Sequence, residues 1–471
     1  MRFQRKSIFS IALATAMCTA LLFSANASHA ASSYVISPTD PEVGSVCASL
    51  GGAWDGSSKC TLGRDLTLNQ GDSLVVDPNA VLAIAGGFTV SNGGAIEDFG
   101  AITTAAGGFL NNSGTITAFI ANGTIVNRGT VTNGPGGSLS VEHPQQTAVE
   151  VGSFNFTNIG TFDNLGSFVD FGNFTNGAKA SIANSGSFSL SSATINIGNF
   201  SAPLATNAGT FTNSPTGTFT VDGATFNNTG TFTNPGTVIE TQNVYSVIEN
   251  FGTITSNGTV ADTSFLRNNG SLTNAGTITT LVGCAVAACG SLVNNALLIN
   301  TASGTIENGG NFGNNVNATF TNYGSLTNAR VFINNPNGTV INSGTIVSSG
   351  TLSNFASIFN SGSIAISGIL LNSGYIGNNS NGTITNSRTI TNTGSIENSG
   401  TLTNACGGVI DGPGTISGNP VTTSCTTTTT STPVPEFPTE ALAPLMLSVL
   451  IFVAFLARKV SGTRPSPHAA S

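Results

Sequence analysis

The residues able to do acid–base, nucleophilic or metal chemistry are few in this chain and lie far apart. Its 471 residues hold 21 Asp+Glu, 13 Lys+Arg, 3 His and 7 Cys. The acids nearest to forming a site are Glu97-Asp98, Asp163 with Asp170, and Glu142 beside His143. Paired carboxylates could hydrolyse a glycosidic bond, and a carboxylate–Ca²⁺ site with a basic residue would suit a lyase. Neighbours on a strand face opposite ways, so Glu97 and Asp98 cannot act as a pair. Asp163 and Asp170 have no base near them. His143 falls in the loop-like stretch Val141-Glu142-His143-Pro144-Gln145-Gln146 and reads as a solvated loop residue. No Walker loop occurs, because no Lys follows the glycines as phosphate binding requires. No nucleophile elbow stands apart from the repetitive sequence. The expectation is a protein without catalytic residues, cofactor or metal. The alternative is an extracellular carbohydrate-active enzyme, a polysaccharide lyase or hydrolase.

Most of the chain is a repeat that would have to position any such residues. From about residue 100 one hexad recurs: Gly, Thr or Ser, a large apolar residue, a small polar residue, Asn, then any residue. Its apolar slots include Val340, Ile346, Leu352, Ile358, Ile364, Leu370 and Ile376, then Ile384, Ile390, Ile396 and Leu402 after a two-residue insertion. Asn fills its slot at Asn342, Asn354, Asn360, Asn372, Asn386, Asn392, Asn398 and Asn404. Phe162, Phe168, Phe174 and Phe232 open the same pattern earlier. A period of six would scatter these side chains around a helix, whereas six is a multiple of two and keeps them on one face of strands. Gly and Asn would turn the corners because both tolerate positive φ. The hexads predict an all-β fold, a parallel β-helix or β-solenoid. Coils of 18–26 residues would number about 14–19, and stacked Asn would form ladders.

The chain ends predict export and anchoring. Arg2, Arg5 and Lys6 precede an apolar stretch from Ile8 to Phe23, with Ser28 and Ala30 at the cleavage position, so 1–30 reads as a signal peptide. Near the other end, Ala441 to Ala457 is uncharged and followed by Arg458 and Lys459, which places the C-terminus inside and the body outside. The predicted layout is a signal peptide at 1–30, an N-terminal disulfide cap at 31–62, a solenoid body at 63–418 and a Thr/Pro-rich stalk with sorting motif at 419–438. A transmembrane helix at 439–459 and a cytoplasmic tail at 460–471 follow. Charged residues are 7% of the chain and the net charge is −8, which excludes a nucleic-acid binder.

With Cys18 removed by cleavage, six cysteines remain, an even number in an exported chain. Fifteen pairings exist. Nearest-neighbour pairing closes three local loops, Cys47–Cys60, Cys284–Cys289 and Cys406–Cys425, which suits an elongated body. Zinc is disfavoured, since no Cys-x-x-Cys occurs and the body holds one histidine.

The tail Pro435-Glu436-Phe437-Pro438, apolar helix and basic cluster resembles the sorting signals of archaeal surface proteins, of the class read by exosortase-type transpeptidases. The resemblance covers about residues 433–460. It implies a sorting transpeptidase as partner, removal of the helix and transfer of the body to a lipid anchor.

Asn-x-Ser/Thr sequons stand at Asn111, Asn122, Asn155, Asn173, Asn199, Asn227, Asn257, Asn269, Asn317, Asn337, Asn378 and Asn381. The expected product is a glycosylated cell-surface rod, structural or adhesive, tethered to a membrane. Its repetitive face would meet cell-surface polysaccharide or envelope proteins.

Overall fold

The computed structural model describes residues 30–119, 123–142, 155–191, 204–240, 246–262, 265–280 and 290–424. They form a parallel β-solenoid of about 16 turns, roughly 75 Å long at about 4.8 Å per turn. Each turn contributes one short strand to each of three sheets. Thr345–Ser348, Thr351–Asn354 and Ser357–Asn360 lie on the first, second and third sheets of one turn. They pair in register with Ser363–Ile366, Ile369–Asn372 and Tyr375–Asn378 of the next. Successive turns are 18 residues apart where corners are shortest, as from Asn342 to Asn360, and 31 apart from Asn133 to Asn164.

The hexad maps onto the strand directly. Its Thr or Ser and its fourth residue face outward, while its apolar residue and its Asn face inward. Each turn therefore buries about three large apolar side chains, worth roughly 1.5–3 kcal/mol apiece. Phe156 to Phe232 form a continuous aromatic core in which Phe168 and Phe188 lie 4.5 Å apart and Phe219 and Phe226 4.9 Å.

The inward Asn side chains form ladders along the rod. On the second sheet the ladder runs unbroken from Asn127 to Asn392. Each Nδ2 donates to the next Oδ1 at 2.7 or 2.8 Å. Nδ2 also donates to a backbone carbonyl of the next turn, as Asn158 does to Ser181 and Asn372 to Ser395. On the third sheet the ladder breaks once. Asn234 donates to the Ser256 hydroxyl, and Asn274 Oδ1 is left without a donor.

The corners work differently from the sequence expectation. Among the described residues, positive φ occurs at Asn79, Asn317 and Asn337 and at nine glycines, and the ladder Asn are not among them. The repeat Gly is needed for close approach. A Cβ on Gly344 would lie 2.1 Å from the Gly324 carbonyl oxygen, and one on Gly394 2.0 Å from that of Gly374. Positive φ serves the longer corners, as at Asn317 and Asn337.

Both ends differ from the predicted boundaries. Ser33–Ile36 and Lys59–Leu62, placed in the cap, already stack as solenoid strands on Ser73–Val76 and Val81–Ile84. The cover over them is the helix Val43–Ser49 and the antiparallel strand Gly52–Trp54, joined to the rod by the Cys47–Cys60 disulfide with Cα atoms 5.7 Å apart. At the other end, Thr422–Ser424 still pairs with Thr401–Ala405, so the first sheet runs past 418 into the expected stalk. Among the described residues no helix is long and apolar enough to cross a membrane. Residues 1–29 and the expected span 439–459 lie outside the described residues.

Asn314 accepts from Asn294 and donates to Asn334 and to the Thr339 carbonyl. Asn314→Ala strands these buried partners and is expected to cost about 2–4 kcal/mol. The outward Thr385→Ala is expected to stay within about 0.5 kcal/mol. Denaturant unfolding of the two variants checks the difference.

Candidate interaction surface

Outward side chains stack into columns because the strands pair in register. On the third sheet Thr210, Thr231, Thr253 and Ser271 form one column, and Thr212, Thr233, Thr255 and Thr273 the column beside it. The hydroxyls repeat about every 4.8 Å along the rod and about 6.6 Å across it. Thr is favoured here because a β-branched side chain packs well on a pleated, half-solvated surface.

Farther along the same sheet the columns become apolar and aromatic. Ile341 is paired with Phe359, and Phe359 with Gly377. Their neighbour Tyr375 has its ring 5.8 Å from that of Phe359. The Tyr375 side chain lies over Gly377, where an added Cβ would meet the ring at 3.0 Å. Its hydroxyl donates to Glu397 Oε2 at 2.8 Å. That bond to a carboxylate is the main cause holding the Tyr375 pKa above its usual value. The outcome is an apolar strip of Ile341, Phe359 and the Tyr375 ring, ending on a carboxylate.

From Ser181–Asn184 to Tyr375–Asn378, ten successive third-sheet strands carry no Asp, Glu, Lys or Arg. This is an uncharged band roughly 45 Å long. The second sheet instead carries the Arg267–Glu249 ion pair, and the first sheet carries Glu97 and Glu307 outward.

The acids singled out in the sequence are not brought together. Glu97 faces outward and Asp98 inward on the same strand. Asp163 is outward on the third sheet and Asp170 buried on the first. Desolvation raises the Asp163 carboxyl above its ordinary value. His143 lies outside the described residues, and nothing is described of the Glu142 side chain. A shallow polar groove over the first turns, lined by Asn69, Gln70, Ser91 and Asn111 among others, contains one acid, Asp72. Both Asp72 oxygens accept backbone N–H groups, from Ser32 and Asn69, at 2.8 Å, which is a structural role. Among the described residues no cluster of His, Cys, Asp or Glu could hold a metal ion.

Cys406 is disulfide-bonded, while Cys284, Cys289 and Cys425 lie outside the described residues, as do Pro435, Glu436, Phe437 and Pro438 of the sorting motif. Sequence reasoning missed the aromatic strip, and it named Asp98 and Asp170 without placing them in the interior. The available signal was departure from the hexad, a Gly in its fourth slot at 377 and Asp in the Asn slot at 98 and 170.

The sequons divide by facing. Asn111, Asn155, Asn257, Asn317, Asn337 and Asn381 are exposed, and Asn173, Asn227 and Asn269 are half-buried. Asn122 and Asn199 lie outside the described residues. Asn378 is a ladder rung, 1% exposed, donating to Asn398. Site mapping of glycopeptides from the native host is expected to find glycan among the exposed sequons and none at Asn378.

A family model described as haemagglutinin repeat matches residues 61–129, 166–214, 216–280, 287–354 and 360–423. No curated protein matches the chain. Among solved structures, the crystal structure of a TibC-catalysed hyper-glycosylated TibA fragment is similar at 14% identity over 78% of this chain and 94% of that one, with a TM-score of 0.17. The family matches cover well over half of the residues, and the chain belongs to the haemagglutinin repeat family.

Proposed function

We propose that the chain is an exported, adhesin-type surface rod that binds neutral polysaccharide along its third sheet. The observation that carries this reading is the uncharged band from Ser181–Asn184 to Tyr375–Asn378, in which hydroxyl columns lead into the Ile341–Phe359–Tyr375 strip. Hydroxyl columns offer hydrogen bonds to sugar hydroxyls at a fixed repeat, and aromatic faces offer stacking to the apolar faces of sugar rings. The absence of charge along the band makes an anionic polymer no better a ligand than a neutral one. Many weak contacts on one stiff rod add up through multivalency. The haemagglutinin repeats support a surface role. In this reading the protein is not an enzyme: the lyase or hydrolase alternative needs carboxylates gathered on one face, and those of the described residues are split between sheets.

Binding of the full chain to insoluble neutral and anionic polysaccharides tests the reading. The neutral polymer is expected to be preferred, and F359A/Y375A to weaken binding about tenfold at unchanged thermal stability, in line with losing about 1.4 kcal/mol of stacking. Preference for the anionic polymer, or full binding by the double variant, would overturn it.

The tethered form of the proposal follows from the chain's ends. The rod is anchored first by the segment 439–459 and then, through the motif Pro435-Glu436-Phe437-Pro438 and a sorting transpeptidase, by a lipid, as in the archaeal surface proteins it resembles. Intact mass of the protein from its native membrane is expected to place the mature C-terminus near Glu436 with an added lipid. Retention of residues 441–471 would sink the sorting reading and leave a single-span anchor.

A further inference from the structure

The first sheet departs from the other two at the slot where Asn is the rule. Asp98 and Asp170 end the strands Ala95–Asp98 and Ser167–Asp170 and are 0% and 1% exposed. Each uses Oδ1 as a ladder Asn does, accepting the N–H of the glycine two residues on. Gly100 donates to Asp98 at 3.0 Å and Gly172 to Asp170 at 2.7 Å, as Gly94 does to Asn92 and Gly129 to Asn127. Each Oδ2 is buried without a hydrogen-bond partner, in the place of an amide nitrogen.

In a ladder that nitrogen has two acceptors. One is the next Asn Oδ1, and the other is the carbonyl that opens the strand beyond the corner one turn on. Asn92, for example, donates to Asn112 Oδ1 and to the Thr115 carbonyl. One turn beyond Asp98 stands Ala118, and one turn beyond Asp170 stands Leu190, so the side-chain acceptor is missing in both cases. The residues equivalent to Thr115 are Thr124 and Leu204, whose carbonyls would be the remaining acceptors. The site calls for a single donor. An amide brings one N–H too many, a carboxylate brings none and adds a buried charge, and a neutral carboxylic acid brings one O–H.

We propose that Asp98 and Asp170 stand in the folded rod as neutral carboxylic acids, each donating one hydrogen bond across the corner, and that their ionisation makes the edge between the first and second sheets a pH-sensitive seam. Among the described residues no cation faces either group. Around Asp98, the strands Ser73–Val76, Thr115–Phe119, Ala101–Thr104 and Thr124–Asn127 carry no titratable residue. Asp77 follows the first of these at the corner, Arg128 follows the last at the opposite corner, and Glu97 faces outward. Around Asp170, Glu142 is the one titratable residue of the strand paired below it. Ser187–Ser191, Asn155–Asn158, Asn173–Asn176 and Leu204–Asn207 carry none.

Burial pushes both carboxyls up from 3.8 to about 7, against the opposing pull of the glycine N–H bonds and, at Asp98, of the Thr124 backbone. The folded rod therefore holds two protons that the unfolded chain releases near pH 4. Stability from this source is greatest at the acid end, falls as pH rises toward about 7 and levels off above it.

Infrared titration and thermal unfolding of the full-length protein between about pH 5 and pH 9 test the proposal. The expected result is a carbonyl band of protonated carboxyls that disappears as pH rises through about 7, remains in E97Q and is absent from D98N/D170N. The wild-type Tm is expected to fall over the same range. That of D98N/D170N should stay nearly flat, lower than wild type at pH 5 and higher at pH 9. Absence of the band from the wild type at pH 6, or an unchanged pH slope in the double variant, would overturn the assignment. If the double variant fails to fold, the wild-type infrared titration decides alone.

Discussion

The solenoid depends on primary amides buried at the corners that follow its second and third sheets. An Asn side chain in a dry interior costs about 1–3 kcal/mol for each polar atom left unpaired, and a single turn cannot satisfy it. The partner is the same amide one turn on, with Nδ2 to Oδ1 at 2.7 or 2.8 Å from Asn127 to Asn392. Satisfaction therefore comes from the neighbouring turn, and the turns must stay in register and at strand spacing. The repeat Gly serves the same constraint. With a Cβ only 2.0–2.1 Å from a carbonyl of the turn below at Gly344 and Gly394, the corners could not close to that spacing.

Where the constraint lapses over many turns, it lapses along one edge. The segments 120–122, 143–154, 192–203, 241–245, 263–264 and 281–289 all connect a first-sheet strand to a second-sheet strand. The Asn slot of the first sheet over these turns holds Ala118, Leu190, Val221 and Glu240 instead of a ladder. Long connections and missing rungs coincide along this edge, with Thr280 as an exception whose hydroxyl donates to Asn308 Oδ1. From Asn308 onward the connections are short again and rungs return, as between Asn308 and Asn328 and between Asn386 and Asn404. Asp98 and Asp170 sit in two-residue corners among the longer ones, where the rung has nothing above it.

How much of this was legible follows from what a period can encode. A repeat of six with alternating inward Leu352 and Asn354 identifies strands, a common interior and stacked amides from one chain, because every hexad meets the same environment. The role given to the glycines was misread: a sequence does not distinguish a glycine needed for positive φ from one needed for close approach, and Gly344 is the second kind. The cap boundary was also misplaced, since Ser33–Ile36 and Lys59–Leu62 join the sheets without carrying the hexad. The aromatic strip was hidden because it depends on three turns at once. Phe359, Tyr375 and Gly377 become neighbours through stacking of the third sheet, and the one local sign of them is the departure from the hexad at Gly377.

A rod built this way separates stability from recognition. Its interior slots are occupied by the requirements of the core and ladder, while the two outward slots of each hexad are free to vary at little cost to the fold. Variation then falls into columns, because every outward residue is read together with its equivalents about 4.8 Å above and below. The third sheet uses that freedom to exclude charge over ten strands while passing from Thr columns to Phe359 and Tyr375. The second sheet uses it to seat Glu249 against Arg267. A surface with one chemistry sustained over many turns suits a ligand that is itself repetitive. The stiffness imposed by the amide ladder keeps the columns aligned over that distance.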